Sequence, residues 1–217
     1  MTSKIIIFDC DSTLSSIEGI DELARIAGDE VRQQIEEMTN AAMEGKIPLE
    51  SVFAQRLEII QPTLEQVTNI GKLYIQTVEP SALSAIATLK ENGWLPMILS
   101  AGYVQAIQPL AEYLSIESIE AVPLLFNPDG SYQDFDRTYP TTRSGGKLDI
   151  VHKIRQQYSP SLMVTVGDGV SDLETKPGVD IFIGFGRYAV REKVKAQADY
   201  FIEDLVNILS IIPGVAE

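Results

Sequence analysis

Four short runs of consecutive apolar residues punctuate the chain: Ile5–Phe8, Leu95–Leu99, Met163–Val166 and Ile181–Ile183. Unbroken apolar runs of this length, rich in β-branched residues, predict strands buried on both faces. Between them the period becomes helical. Ser81–Asn92 carries Leu83, Ile86, Ala87 and Leu89 at helical spacing and stops at Gly93. Tyr103–Leu114 and Lys147–Tyr158 have the same period, and Val190–Ala196 and Leu205–Ile211 follow the last strands. Strands that alternate with helices predict an α/β fold, a Rossmann-like parallel sheet with helices on both faces. In such sheets ligands sit beyond the carboxyl ends of the strands.

One region breaks the alternation. From Asp21 to about Val78 the pattern is helical throughout: Val31, Ile35, Met38 and Ala42 form one stripe that ends at Gly45, and Leu49, Val52, Phe53 and Leu57 form a second. Thr63-Leu64-Glu65-Gln66 has the capping-box pattern and opens a third helix. The expected organisation is therefore a core made of residues 1–17 and 79–217, with residues 18–78 inserted after the first strand as a small helical-bundle cap over its carboxyl end. A second insert, Val122–Thr142, contains Asn127-Pro128-Asp129-Gly130 between apolar residues and predicts a β-hairpin.

Charge and composition narrow the partners. The 217 residues include 31 acidic and 17 basic ones, a formal net charge of −14. Such a chain has no general basic face for nucleic acid and is repelled by an anionic membrane surface. A small anionic substrate remains compatible, because a metal ion reverses the sign inside a pocket. No apolar run approaches the ~20 residues of a membrane helix, and the stretch after Met1-Thr2-Ser3-Lys4 stops at Asp9, too early for a secretory signal. With Cys10 as the single cysteine, a cytoplasmic protein is expected. Monomer and homodimer both fit the pattern.

The chemistry lies at the strand ends. Asp9 and Asp11 follow the first strand directly, and Asp168 and Asp172 follow Val164–Gly167. If the two strands are neighbours, four carboxylates converge and need a cation; oxygen ligands without histidine or cysteine point to Mg²⁺. Ser100-Ala101-Gly102 stands between a strand and a helix, where a hydroxyl and free N–H groups hold a phosphate, although a plain serine cap reads the same way. Lys147 opens a helix behind Ser144-Gly145-Gly146, on the wrong side of the helix dipole unless an anion sits there or the side chain is merely solvated.

These four segments, in this order, resemble the haloacid dehalogenase-like phosphohydrolases: an Asp-x-Asp after the first strand, a Ser or Thr, a Lys, and a Gly-Asp-x-x-x-Asp. Further landmarks resemble the phosphoserine phosphatase family within them: Asp9–Leu14, Glu18–Ala24, Met43-Glu44-Gly45-Lys46, Arg56, Tyr139-Pro140-Thr141, and Ile183-Gly184-Phe185-Gly186. The resemblance implies a Mg²⁺-dependent phosphomonoesterase that acts on phosphoserine, a small phosphorylated amino acid of serine biosynthesis. It implies that Asp9 attacks phosphorus, that Asp11 is the general acid and then the general base, and that Ser100, Gly102 and Lys147 hold the phosphoryl oxygens. Mg²⁺ would be held by Asp9, the backbone carbonyl of Asp11 and Asp168, with Asp172 orienting the metal waters and Lys147 from behind. Glu18, Met43, Arg56, Ala101 and Ser171 would complete the substrate site, Arg56 meeting the carboxylate and Glu18 the ammonium.

The residues also allow blander readings: Arg56 snorkelling at the edge of a core, Glu18 as a first-turn acid, Met43 as packing. The chain departs from the family's usual pattern at Leu49, where an aromatic residue is frequent, at Ala101, where glycine is common, and at Ser171, which replaces Asn or Thr. Within the same chemistry, another phosphorylated metabolite or phosphotransfer to homoserine is the alternative. A phospho-accepting receiver domain also uses strand-end aspartates, but needs no helical insert. Single His152 reads as a surface or half-buried helix residue, Cys10 as a small buried hydrophobe pointing away from the aspartates by strand alternation, and Trp94 as core.

Overall fold

The computed structural model describes residues 4–214. Strand β1 (Lys4–Phe8) is followed by helices α1 (Gly19–Ala27), α2 (Asp29–Met43), α3 (Glu50–Ile60), α4 (Leu64–Gln76) and α5 (Ala82–Glu91). Next come β2 (Trp94–Tyr103), α6 (Val104–Tyr113), β3 (Ser118–Val122), and a hairpin of β4 (Leu124–Phe126) and β5 (Tyr132–Phe135). The chain ends through α7 (Gly146–Tyr158), β6 (Leu162–Gly167), α8 (Val170–Leu173), β7 (Ile181–Phe185), α9 (Glu192–Gln197), β8 (Tyr200–Ile202) and α10 (Ile208–Ile211).

The main sheet has the order β3-β2-β1-β6-β7-β8, and every neighbouring pair is parallel. The α/β expectation holds. β1 lies in the middle, and Ile5, Ile6 and Phe8 are fully buried, as expected of a strand covered on both faces. From β3 the chain returns across the sheet to place β6 on the other side of β1, so the order reverses there, and a crevice opens beyond the carboxyl ends. The Asp9 N–H donates to the Val166 carbonyl at 2.9 Å, which ties the residue after β1 to the end of β6.

Two strands escaped the sequence pattern. β3 and β8 form the sheet edges, and both alternate or mix polar with apolar residues (Ser118-Ile119-Glu120, and Tyr200, which is 46% exposed). Edge strands are short and half-solvated, so they lack the continuous apolar run of a buried strand. The helix expected over Leu205–Ile211 is instead a 3₁₀ turn, Leu205–Asn207, that leads into the short α10.

The residues between β1 and α5 form the helical insert. Ser15 and Val78 pair in an isolated antiparallel bridge, and the Ser16 N–H donates to the Thr77 carbonyl at 2.9 Å. The insert thus leaves and re-enters the core through adjacent backbone. Helix α4 opens with the expected capping box at Thr63 and Gln66. It is fastened to core helix α6 at Gly71, where a Cβ would lie 2.7 Å from Pro109 Cγ and 3.0 Å from the Ala106 carbonyl oxygen. A second tie joins the start of α3 to the turn before α7: the Ser144 N–H and Oγ both donate to Glu50 Oε2 at 2.9 Å. The β4–β5 hairpin is the predicted one and forms its own two-stranded sheet.

Candidate active site

β1 ends at Phe8, and Cys10–Leu14 wind into one wide turn in which Ser12 adopts φ 51°. The alternation argued for Cys10 therefore does not apply, although its side chain is buried as expected. The turn separates the two aspartates. Asp9 joins Asp168 and Asp172, from the end of β6 and from α8, in a buried triad in which one carboxylate oxygen from each lies within 4.8 Å of the others. Asp11 does not join them as expected: its Oδ1 accepts hydrogen bonds from the Tyr74 hydroxyl and the Gly19 N–H, each at 2.6 Å.

Close packing at the end of β6 makes the triad possible. A Cβ on Gly167 would stand 2.3 Å from Asp172 Cγ. The Asp172 carboxylate therefore folds back under the strand end, where its Oδ2 accepts from the Gly169 N–H at 2.9 Å. Lys147, in the first turn of α7 and 3% exposed, donates to Asp172 Oδ1 at 2.5 Å. The same ammonium sits 2.9 Å from Asp9 Oδ1, but off the hydrogen-bonding direction, and no described residue hydrogen-bonds that oxygen. Asp168 accepts from Thr13 Oγ1 at 3.4 Å and from Arg191 Nε at 3.1 Å.

The electrostatics follow from this crowding. Burial and the neighbouring Asp9 push Asp172 up to about 8 and Asp168 up to about 6, against the pull of Lys147 and Arg191. Burial would lower Lys147, but Asp172 and Asp9 outweigh it and hold the ammonium charged. Burial and Asp9 also raise Asp11 to about 7. Buried and crowded beside Asp9, the Asp168 and Asp172 carboxyls hold their protons more tightly than free carboxyls do. A donor set of carboxylate oxygens alone, one of them buried without a hydrogen bond, fits a hard divalent cation.

The pocket above this floor is lined by Asp9, Asp11, Glu18, Met43, Arg56, Ser100, Ala101, Gly102, Lys147, Asp168 and Ser171. All the candidate site residues thus share one cavity, except Asp172, which is not among its lining residues. Ser100–Gly102 are not a loop before a helix. β2 continues through them to Tyr103, with a register shift against β3 after Leu99. The Gly102 N–H donates to Ser100 Oγ at 2.9 Å, which leaves the serine hydroxyl hydrogen free to donate into the pocket. Arg56 is 4% exposed, so it does not snorkel. One guanidinium nitrogen donates to Thr39 Oγ1 at 3.0 Å, that hydroxyl donates to Asp21 at 3.0 Å, and the Arg56 Nε is buried without a partner. Glu18 accepts from the Ser12 hydroxyl at 2.6 Å, and burial together with Asp11 and Asp168 raises its pKa well above the usual range. His152 is exposed on α7, and Trp94 is buried at the start of β2.

Residues 3–175 match the family model described as haloacid dehalogenase-like hydrolase. The chain belongs to the haloacid dehalogenase-like hydrolases. Within that family it is similar to the phosphoserine phosphatases. The Bos taurus phosphoserine phosphatase is 36% identical over 213 residues, which cover 97% of this chain and 94% of the relative. A phosphoserine phosphohydrolase-like protein from Francisella tularensis superposes with a TM-score of 0.88 at 29% identity, covering 96% of this chain and 99% of the other. A phospho-aspartyl intermediate analogue of a phosphoserine phosphatase superposes with a TM-score of 0.85 at 30% identity, covering 98% of this chain and all of the other.

Three residues that line the pocket, and Arg191, which donates to Asp168, were not read from the sequence. Arg191 follows β7 in a loop without a motif, and the only available signal was the general rule that strand carboxyl ends carry function. Tyr74 falls on a helical stripe with Val67 and Ile70 and reads as core. Ile20 and Tyr103 also line the cavity and read as ordinary apolar positions. Among the described residues no helix is long and apolar enough to cross a membrane.

Proposed function

We propose that the chain is a Mg²⁺-dependent phosphomonoesterase that hydrolyses O-phosphoserine to serine and phosphate through an aspartyl phosphate. The observation that carries the substrate is the pocket's charge pattern. Arg56, buried with an unpartnered Nε, lines the same cavity as Glu18, Ser100, Lys147 and Asp9. That arrangement complements a carboxylate, an ammonium and a phosphate on one small molecule.

Asp9 attacks phosphorus, and Lys147 beside it offsets the repulsion between carboxylate and phosphate. Ser100 donates its free hydroxyl hydrogen to a phosphoryl oxygen, and the Gly102 backbone borders the same site. Asp11 gives a proton to the departing serine oxygen and later takes one from the water that cleaves the aspartyl phosphate. Asp9, the Asp11 carbonyl and Asp168 would hold Mg²⁺, with Asp172 fixing Lys147 from behind. When bound, the cation neutralises charge on the transferring phosphoryl group. Met43, Ala101 and Ser171 bound the space left for the substrate stem. The helical insert, residues 18–78, acts as a cap that supplies Glu18, Met43 and Arg56 to the core made of 1–17 and 79–217. Free, buried Cys10 suits a cytoplasmic setting.

A phosphate-release screen over phosphorylated amino acids and small metabolites, with Mg²⁺ and with or without homoserine as acceptor, tests the reading. Phosphoserine is expected to give the highest kcat/KM. A different preferred ester, or transfer to homoserine in place of hydrolysis, would replace it.

A further inference from the structure

Asp11 is held on one side only. Its Oδ1 accepts from the Tyr74 hydroxyl at 2.6 Å and from the Gly19 N–H at 2.6 Å, which occupies both lone-pair directions of that oxygen. Its Oδ2 faces the pocket: a Cβ on Gly102 would lie 3.0 Å from it and 3.1 Å from Ser100 Oγ. The Tyr74 hydroxyl has a seat of its own. It fills the space a side chain at Gly19 would take, with a Cβ there only 2.1 Å from the oxygen. Tyr74 is 1% exposed and lies one turn after Gly71, where α4 locks onto α6. A ring that served packing alone would need no hydroxyl pointed at a carboxylate.

We propose that Tyr74 is a positioning residue for Asp11: with the Gly19 N–H it engages Oδ1 and presents Oδ2 to the leaving oxygen of the substrate. The proposal rests on the assignment of Asp11 as general acid. In the step concerned, an oxygen of Asp9 bonds to phosphorus as the bond from phosphorus to the ester oxygen breaks. The electron pair of that bond stays on the ester oxygen, which takes the proton from Asp11 Oδ2 and departs as the alcohol. Without the tyrosine hydroxyl the carboxyl turns, and proton delivery suffers in proportion to the leaving group's need for it.

The test compares Tyr74→Phe with wild type on phosphoserine, whose alkoxide needs a proton, and on p-nitrophenyl phosphate, whose phenolate leaves without one. With Mg²⁺ present, kcat/KM for phosphoserine is expected to fall about tenfold, a part of the roughly 10²–10⁴-fold that general acid catalysis supplies, while that for the aryl ester falls less than about twofold. Gly19→Ala, which drives the hydroxyl from its seat but keeps the N–H, is expected to show the same selective loss and serves if the first variant does not fold. Equal losses on both esters, or no loss on either, would overturn the role. If wild type prefers another alkyl phosphate, the substrate reading fails, and the same comparison on that ester still decides the role of Tyr74.

Discussion

Replacing Arg56 by methionine separates what the guanidinium does for the substrate from what it costs the fold. The side chain is buried, its Nε has no partner, and one nitrogen reaches Thr39 at 3.0 Å. An unsatisfied buried donor costs about 1–3 kcal/mol, and more on a charged group; an apolar side chain of similar length removes that cost below about pH 6, where Asp21, the carboxyl that Arg56 pulls down, is protonated. A gain of about 1 kcal/mol raises the melting temperature of a chain this size by roughly 2–4 °C. The activity should move the other way. Removing one partner of a buried, hydrogen-bonded charge pair costs about 2–5 kcal/mol, so kcat/KM for phosphoserine should fall between about 30-fold and 5000-fold. Phosphoethanolamine keeps the phosphate ester and the ammonium but lacks the carboxylate, and on it the variant should lose less than about threefold. Thermal melting without substrate below about pH 6 and steady-state phosphate release on both esters read the two halves. Equal losses on both esters would show that Arg56 does not meet a carboxylate, and a fall of several degrees in Tm would show that it is needed by the fold.

Two further perturbations address the buried acids and the cation. Burial lifts Asp21 from 3.8 to about 6, although Thr39 and Arg56 pull it down. The folded state therefore holds this proton more tightly than the unfolded one, and stability is lost as pH rises from about 4 to about 6. Asp21→Asn should be more stable than wild type above that window, by about 3 kcal/mol at pH 7, and equal to it near pH 3; a gain that is independent of pH in denaturant titrations would contradict the assignment. Mg²⁺ at ten times its dissociation constant should stabilise the fold by about 1.4 kcal/mol, seen as a melting temperature higher by about 3 °C. Asp168→Asn should abolish that rise and excess chelator should stop turnover, whereas unchanged melting with saturating Mg²⁺ would count against the triad as its site.

The core and the charged floor were legible because each rests on local physics. Ile5–Phe8 reads as a strand covered on both faces, and the Asp9 and Asp11 pair straight after it, weak alone, gained weight from the carboxylates at a second strand end. The same reasoning found Asp168 behind β6, whereas Lys147, in the first turn of α7, read alone as a solvated lysine and took its role from the resemblance. That reasoning could not see that a wide turn with Ser12 in the left-handed region swings Asp11 off the triad toward Tyr74, because φ at a serine carries no sequence mark. β3 and β8 stayed hidden since edge strands lack the buried apolar signature. Arg191 and Tyr74 stayed hidden because their roles arise from contacts across long sequence separations, with Asp168 and with Asp11. The charge of −14 argued against large anionic partners, yet buried carboxylates sit at the floor of a pocket that suits a phosphate.

The central claim is that Asp9 carries the phosphoryl group during turnover. Mass spectrometry of the peptide that contains Asp9, after acid quench of a single turnover with phosphoserine and Mg²⁺, tests it directly. A phosphoryl mass increment on Asp9 that forms and decays at the rate of phosphate release, and that is absent from folded Asp9→Asn, is the predicted result. Phosphate release without any phosphorylated Asp9, or sustained turnover by Asp9→Asn, would contradict the account.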